Sequence, residues 1–517
     1  MTVREGFERE KKITRRRFLK ILSNMGLVGT ATALSGCSSE EIGGQGWLPE
    51  QYNVAGAWPT QVRGRVPIDP ASPSVVRNDE KCVLCGQCLE VCQNIQSVFG
   101  YYELPVINDF VCVNCGQCIL WCPTSSITEK HDTKKVKEAL ADPNKIVVAQ
   151  TAPATRVGLG EEFALPAGTW VQGQQVAALR QLGFDKVFDT VFAADLTIME
   201  EGTELIQRLT GKSNAPLPQL TSCCPGWIKF CEYYYPDLIP NLSSAKSPQQ
   251  MFGAMVKTYY AKANHIDPKK IFSVSIMPCT AKKFEAQRPE FNSAGEYWKN
   301  ENIRDVDAVL TTRELANLIK KAGIDLTQLP EEDYDPMLGE GSGAGLIFGN
   351  TGGVMEAAIR TAYFFLTGKE SPKSVFNLKA VRGLNGVKEA EVNIPDWGVL
   401  RIAVVHGLKD ARTVMEAIRR GTAPYDFVEI MACPGGCISG GGQPRTAVPP
   451  SDEVRRKRIA SIYAKDTSYM VRESHENREV LALYENFLEH PLSHISHKLL
   501  HTQYTSRAEM LKAKEMV

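Results

Sequence analysis

Phe427-Val428-Glu429-Ile430-Met431-Ala432 runs without a break into Cys433-Pro434-Gly435-Gly436-Cys437, and the loop closes on Gly440-Gly441-Gly442-Gln443-Pro444. A short apolar, β-rich run that ends in a glycine-rich loop with two thiols reads as a strand delivering reactive side chains at its C-terminal end. That is the usual place for sites in α/β sheets. Two other stretches share the pattern. Phe272–Met277 leads into Met277-Pro278-Cys279-Thr280-Ala281-Lys282-Lys283-Phe284-Glu285, and Thr221-Ser222-Cys223-Cys224-Pro225-Gly226-Trp227 sets two adjacent thiols before Pro-Gly. Further β-rich runs, Ile146–Gln150 and Arg401–His406, alternate with helical stretches at 245–263 and 352–366. The expected body over 145–447 is α/β, with mixed sheets flanked by helices.

The chain has 517 residues, enough for two to four domains, and 43% of them are apolar, which excludes a mostly disordered protein. Lys+Arg and Asp+Glu both count 59, so no basic footprint for nucleic acid is expected. Fifteen cysteines are the loudest feature. Cys82-x2-Cys85-x2-Cys88-x3-Cys92 and Cys112-x2-Cys115-x2-Cys118-x3-Cys122-Pro123 have the spacing of a bacterial two-cluster ferredoxin. Zinc sites use spaced pairs, not triplets with a trailing fourth cysteine. In that pattern Cys82, Cys85 and Cys88 take Cys122 as fourth ligand, and Cys112, Cys115 and Cys118 take Cys92. Gln93 stands where the first run would carry its proline. Residues 72–130 are thus expected to form a small α+β ferredoxin-like domain with two [4Fe-4S] clusters, an electron wire. Cys224, Cys279, Cys433 and Cys437 would bind one more cubane and leave Cys223 unliganded beside it; glycines let backbone approach such a cluster and donate N–H bonds to it. Cys231, in an aromatic helical stretch, reads as a core thiol.

At these three motifs the sequence resembles the catalytic subunit of the [FeFe]-hydrogenases, from about residue 72 to the C-terminus. The resemblance implies an H-cluster domain over 145–447: a 4Fe–4S cubane sharing one thiolate with a di-iron unit that carries CO, CN⁻ and a bridging dithiolate. It implies that Cys224, Cys279, Cys433 and Cys437 ligate the cubane, with Cys437 shared. Lys282 would hold a cyanide by a charge-assisted hydrogen bond. Met277 and Met431 would pack around the di-iron unit, Pro153 and Ala154 would line its other side, and Phe348 would help exclude water. Some relatives have Ser in place of Ala154. The proton route it implies runs from Cys223 through a water to Glu201, Ser243 and Glu204. Glu201 and Glu204 are one helical turn apart, whereas Glu200 would point about 100° away. The implied activity is interconversion of H2 with protons and electrons, with electrons leaving to a separate carrier protein of ferredoxin or cytochrome type, since no glycine-rich nucleotide fingerprint is evident. Two competing readings are a non-catalytic hydrogenase-like Fe–S assembly protein and a plain electron-transfer module. The first typically lacks the cysteine and lysine that stand here as Cys223 and Lys282; the second has no use for residues 221–444.

The N-terminus reads as an export signal. Residues 1–20 hold eight basic and three acidic side chains, net +5, and 21–36 carry no charge. Thr14-Arg15-Arg16-Arg17-Phe18-Leu19-Lys20 has the form of a twin-arginine signal, and Leu34-Ser35-Gly36-Cys37 resembles a lipoprotein cleavage box. The expectation is a signal over 1–37, export of the folded protein by the twin-arginine translocase after cofactor maturation proteins have acted, a membrane tether through Cys37, and a linker over 38–71. Residues 448–517 are expected to form a helical tail like the small subunit of some relatives. His490, His494, His497 and His501 fall on one face of a continuous helix there, a pattern that reads as structural rather than metal-binding. His406 and His265 read as packing or surface residues.

Overall fold

The computed structural model describes residues 64–103 and 110–512. The expected signal, Cys37 and most of the linker lie outside the described residues. The ferredoxin-like segment pairs β1 (Val75–Arg77) antiparallel with β2 (Ile127–Glu129). Its two cysteine runs bend alike. Leu84 and Gly86 in the first, and Asn114 and Gly116 in the second, have positive φ, and a short helix starts after each glycine, Gln87–Glu90 and Gln117–Trp121. Such left-handed residues turn successive N–H groups inward, the geometry of an anion-binding nest. The segment begins earlier than residue 72: Val66 is buried with Leu89 and Ile119, and its N–H donates to Cys88 Sγ at 3.3 Å.

Eight more strands follow among the described residues: β3 (Ile146–Thr151), β4 (Lys186–Asp189), β5 (Gln219–Leu220), β6 (Ile271–Met277), β7 (Ala308–Thr311), β8 (Val387–Ile394), β9 (Gly398–His406) and β10 (Phe427–Met431). They form two sheets, β4-β3-β6-β7, all parallel, and β5-β10-β9-β8, parallel except for the β8–β9 hairpin. Every residue of β6 and β10 is buried, Ser273, Ser275 and Glu429 included, and both read as short, mostly apolar runs. β8 alternates exposed and buried as an edge strand facing water on one side. The expected helix at 245–263 starts at Pro248 and carries a π turn at Val256–Tyr260; that at 352–366 spans Gly353–Thr367.

The tail opens with the helix Asp452–Ser468, capped by Ser451. It ends by pairing beside the body: Lys246 N–H donates to Leu500 O, and Thr502 N–H to Ser244 O, both at 2.8 Å. The four tail histidines do not share a helix. Helix His494–Leu500 holds only His494 and His497; Pro491 and Leu492, the latter at φ 59°, separate it from His490, and His501 is extended. None of the helices among the described residues is long and apolar enough to cross a membrane.

Candidate functional site

Five strand ends converge on one place. Cys224 stands at the end of the short loop after β5 and caps the helix Pro225–Tyr234, Cys279 follows β6, and Cys433 and Cys437 follow β10. β5 and β10 are neighbours in one sheet and β6 is central in the other. Ala152–Ala154 leave β3, and the helix Thr190–Leu209 leaves β4. Together they enclose a cavity with about 540 Å³ of atom-free space, into which Cys223, Cys279, Lys282 and Cys437 project. Pro153, Ala154, Met277 and Phe348 line it. Met431 does not reach it; it packs behind the loop, its sulfur 2.9 Å from where a Cβ on Gly436 would stand. Ala152, Thr190, Ala194, Pro248 and Gln249 complete the wall.

The four thiols lie within electrostatic reach of one another. Burial pushes Cys433 well above the ordinary thiol range, and Cys279, Cys224 and Cys437 push it further. Cys279 is raised to about 12 by burial and by Cys224. Cys437 and Cys224 are raised as well, mainly by burial. Thiols that resist ionisation yet crowd together fit a site for iron, whose positive charge offsets what burial removes from a thiolate. Glycine is required where the loop presses on its neighbours. Gly436 has φ 92°, and a Cβ there would meet Thr351 N at 2.5 Å; one on Gly441 would meet Cys115 O at 2.4 Å.

Lys282 is anchored from two sides. Its ammonium donates to Cys223 O at 3.1 Å and pairs with Glu285 at 3.0 Å. Ser247 Oγ and Gln249 Nε2 both donate to Glu285 Oε2 at 2.9 Å. Burial works against the ammonium, but Glu285 more than offsets it and holds Lys282 above its ordinary value. The cavity therefore presents a fixed cation on an otherwise mostly apolar wall. His406 is fully buried, and its Nδ1 accepts from Gly435 N–H at 3.0 Å, bracing the loop between Cys433 and Cys437. Cys231 is buried among aromatic side chains, its Sγ donating to Tyr235 O at 3.6 Å.

Beyond Cys223 stands Glu201, 1% exposed, with no hydrogen-bond partner on either carboxylate oxygen. Burial, then the charge of Glu204, push it to about 8. Ser243 Oγ donates to Glu204 Oε2 at 2.7 Å, Ser244 N–H to the same oxygen at 3.1 Å, and Arg208 Nη2 to Oε1 at 2.6 Å. Glu204 is 9% exposed, so it stands nearer to solvent than Glu201. Glu200 turns away and binds the tail instead.

Because the folded Glu201 holds its proton up to about pH 8 while an unfolded glutamate loses it near 4.5, folding binds an extra proton between those values. Stability contributed by this group is full below about pH 4.5 and is lost as pH rises to about 8, by roughly 1.4 kcal/mol per unit. A protonated-carboxyl band in the infrared is expected at pH 7, fading as pH passes about 8 and missing from Glu201→Gln. A band already gone at pH 6 would contradict this placement of the proton.

The eight thiols of the two N-terminal cysteine runs fall into two sets. Cys82, Cys85, Cys88 and Cys122 line one cavity. Cys92 lies beside Cys112, and Cys115 and Cys118 are each raised by both. Cys85 is exposed, whereas Cys115 is buried and within electrostatic reach of Cys279 and Cys433. Direct bonds join this segment to the loops of the site: Thr280 Oγ1 donates to Asn114 O at 2.7 Å, and Gln117 Nε2 to Ser439 O at 2.8 Å.

Residues 145–441 match the family model described as the C-terminal domain of the iron-only hydrogenase large subunit, and 452–507 match that of the iron hydrogenase small subunit. The chain is 48% identical over 457 residues to the NADP-reducing hydrogenase subunit HndD of Solidesulfovibrio fructosivorans, covering 85% of this chain and 76% of that one. It is also 48% identical to the periplasmic [Fe] hydrogenase large subunit of Nitratidesulfovibrio vulgaris, covering 77% and 92%. Identity falls to 32% against cytosolic iron-sulfur assembly component 3 of Bos taurus, over 71% of this chain. Among solved structures, a variant of [FeFe]-hydrogenase HydA1 from Chlamydomonas reinhardtii aligns with TM-score 0.64 at 44% identity, covering 72% of this chain and 98% of that one.

Proposed function

The chain belongs to the iron-only hydrogenase family and is a hydrogenase; on that premise we propose that it interconverts H2 with two protons and two electrons at an H-cluster held by Cys224, Cys279, Cys433 and Cys437. The observation that carries this reading is that Cys279, Cys437 and the fixed ammonium of Lys282 line a single cavity, with Cys224 and Cys433 within electrostatic reach of those thiols. When bound, the cluster would supply open iron coordination for H2, and Cys437 would supply the thiolate that holds its di-iron part. Lys282 would hold a cyanide by a charge-assisted bond, with Glu285 keeping the ammonium protonated and aimed. Pro153, Ala154, Met277 and Phe348 would keep water away.

In this reading the proton moves through groups that both accept and donate. Cys223 carries it from the cavity, a water spans the gap to Glu201, and Ser243 passes it to Glu204. Electrons would pass between the cubane and the set Cys92, Cys112, Cys115 and Cys118, then the set with exposed Cys85, where a separate carrier protein would dock. The alternative, a non-catalytic Fe–S assembly protein, has the weaker likeness and no use for a cysteine and a lysine aimed into a cavity. The reading also includes maturation in the cytosol, export of the folded protein by the twin-arginine route, and tethering through Cys37. Protein matured in a host with the cofactor-assembly machinery is expected to reduce an artificial acceptor under H2. Iron-replete protein with no H2-dependent reduction would contradict the reading.

Lys282→Met tests the anchor. It removes a charge-assisted bond worth about 1.5–3 kcal/mol. Retention of the di-iron unit should fall on the order of 10-fold or more, read from the CO bands, while the ferredoxin clusters remain. Full retention would exclude the anchoring role.

A further inference from the structure

The helix that carries Glu201 and Glu204 has a third carboxylate. Glu200 is fully buried, and all three of its donors come from the C-terminal tail: Tyr484 Oη at 2.6 Å, Leu492 N–H at 2.8 Å and His501 Nε2 at 3.0 Å. The other nitrogen of His501, Nδ1, bonds Ser244 Oγ at 2.8 Å. Ser244 in turn donates its N–H to Glu204. Glu200 and Glu204 lie four apart on one helix, so Glu200–His501–Ser244–Glu204 closes a ring upon it. The same stretch of tail holds 244–246 by backbone bonds, and Lys246 Nζ adds a bond to Leu499 O at 3.1 Å. Ser243, which donates to Glu204, is the residue before this clamped segment.

We infer that His501 is a positioning residue for the outer end of the proton route: by tying Ser244 to Glu200 it fixes the backbone that presents two donors to Glu204. The inference rests on the proposed proton route. An imidazole suits the task because its two nitrogens face opposite ways, and here both are engaged, which leaves neither for a metal. The ring of His497 lies 4.5 Å from it on the outer side. Misplacing a relay group by a fraction of an ångström to one ångström costs up to about 100-fold in rate.

The test uses the full-length matured enzyme. His501→Ala is expected to lower turnover on the order of 10-fold and to raise the solvent deuterium isotope effect, with unchanged CO and CN⁻ bands. Amide hydrogen exchange at 243–246 should quicken. His501→Gln, which keeps one of the two bonds, should recover part of the loss and serves if the alanine variant folds poorly. The decisive comparison is with Glu204→Gln. If His501 acts through Glu204, adding His501→Ala to that variant costs little more. Wild-type turnover and isotope effect in both His501 variants, or losses that multiply, would overturn the inference. Glu204→Gln with unchanged turnover would instead overturn the route on which it rests.

Discussion

Cys437→Ala is expected to abolish the di-iron unit, and with it all CO and CN⁻ bands and all turnover, while both ferredoxin clusters persist. Of the four thiols proposed for the cubane, only Cys279 and Cys437 line the cavity; Cys433 is buried behind them. Cys437 therefore stands at the border between the place for a cubane and the cavity that Lys282 faces. A thiolate there can be shared; an alanine methyl offers no donor. Its neighbours cannot move in to replace it, because the loop is pinned. Gly435 N–H is bound by His406 Nδ1, Ile438 N–H donates to Gly349 O at 3.0 Å, and Gly436 is already against Thr351. CO bands that survive in Cys437→Ala would show that the bridge lies elsewhere.

Cys223→Ser is expected to cut turnover by about 10²–10⁴-fold, the range for loss of a positioned proton carrier, with cluster content and infrared bands unchanged. Burial and the charge of Glu201 hold the Cys223 thiol well above its ordinary value, so it stays protonated and ready to donate. Serine keeps the shape and the hydrogen-bonding capacity. Its hydroxyl is a far weaker acid, so the proton moves through it at a much higher cost. The Lys282 contact to Cys223 O is a backbone contact and survives the change, which separates the proton effect from the anchor. Turnover at the wild-type level would remove Cys223 from the route.

Much of this site could be read before any coordinates. Thiols at fixed spacing are chemistry written in local sequence, and fully buried strands such as β6 and β10 announce themselves as short, mostly apolar runs. β4 and β7, with four residues each, are too short for any period to show, and the charged face of β8 hides its pleat. Thr190, Ala194, Pro248 and Gln249 reach the cavity through tertiary packing alone. Glu285 stood in plain sight three residues after Lys282, a helical spacing that signals the pair. His406 gave no such signal: its partner Gly435 is 29 residues away. The tail histidines misled for a different reason. Helical spacing does not run through Pro491, which sets His490 apart, and the helix ends at Leu500, so His501 stands in extended backbone and reaches Glu200 and Ser244.

The most direct measurement is an infrared spectrum of the chain purified from a host that supplies the maturation machinery. Sharp bands of iron-bound CO and CN⁻ are expected, lost in Cys437→Ala and retained in Cys223→Ser. Protein that is loaded with iron–sulfur clusters and shows no such bands would contradict the claim that these four thiols and Lys282 hold a di-iron site.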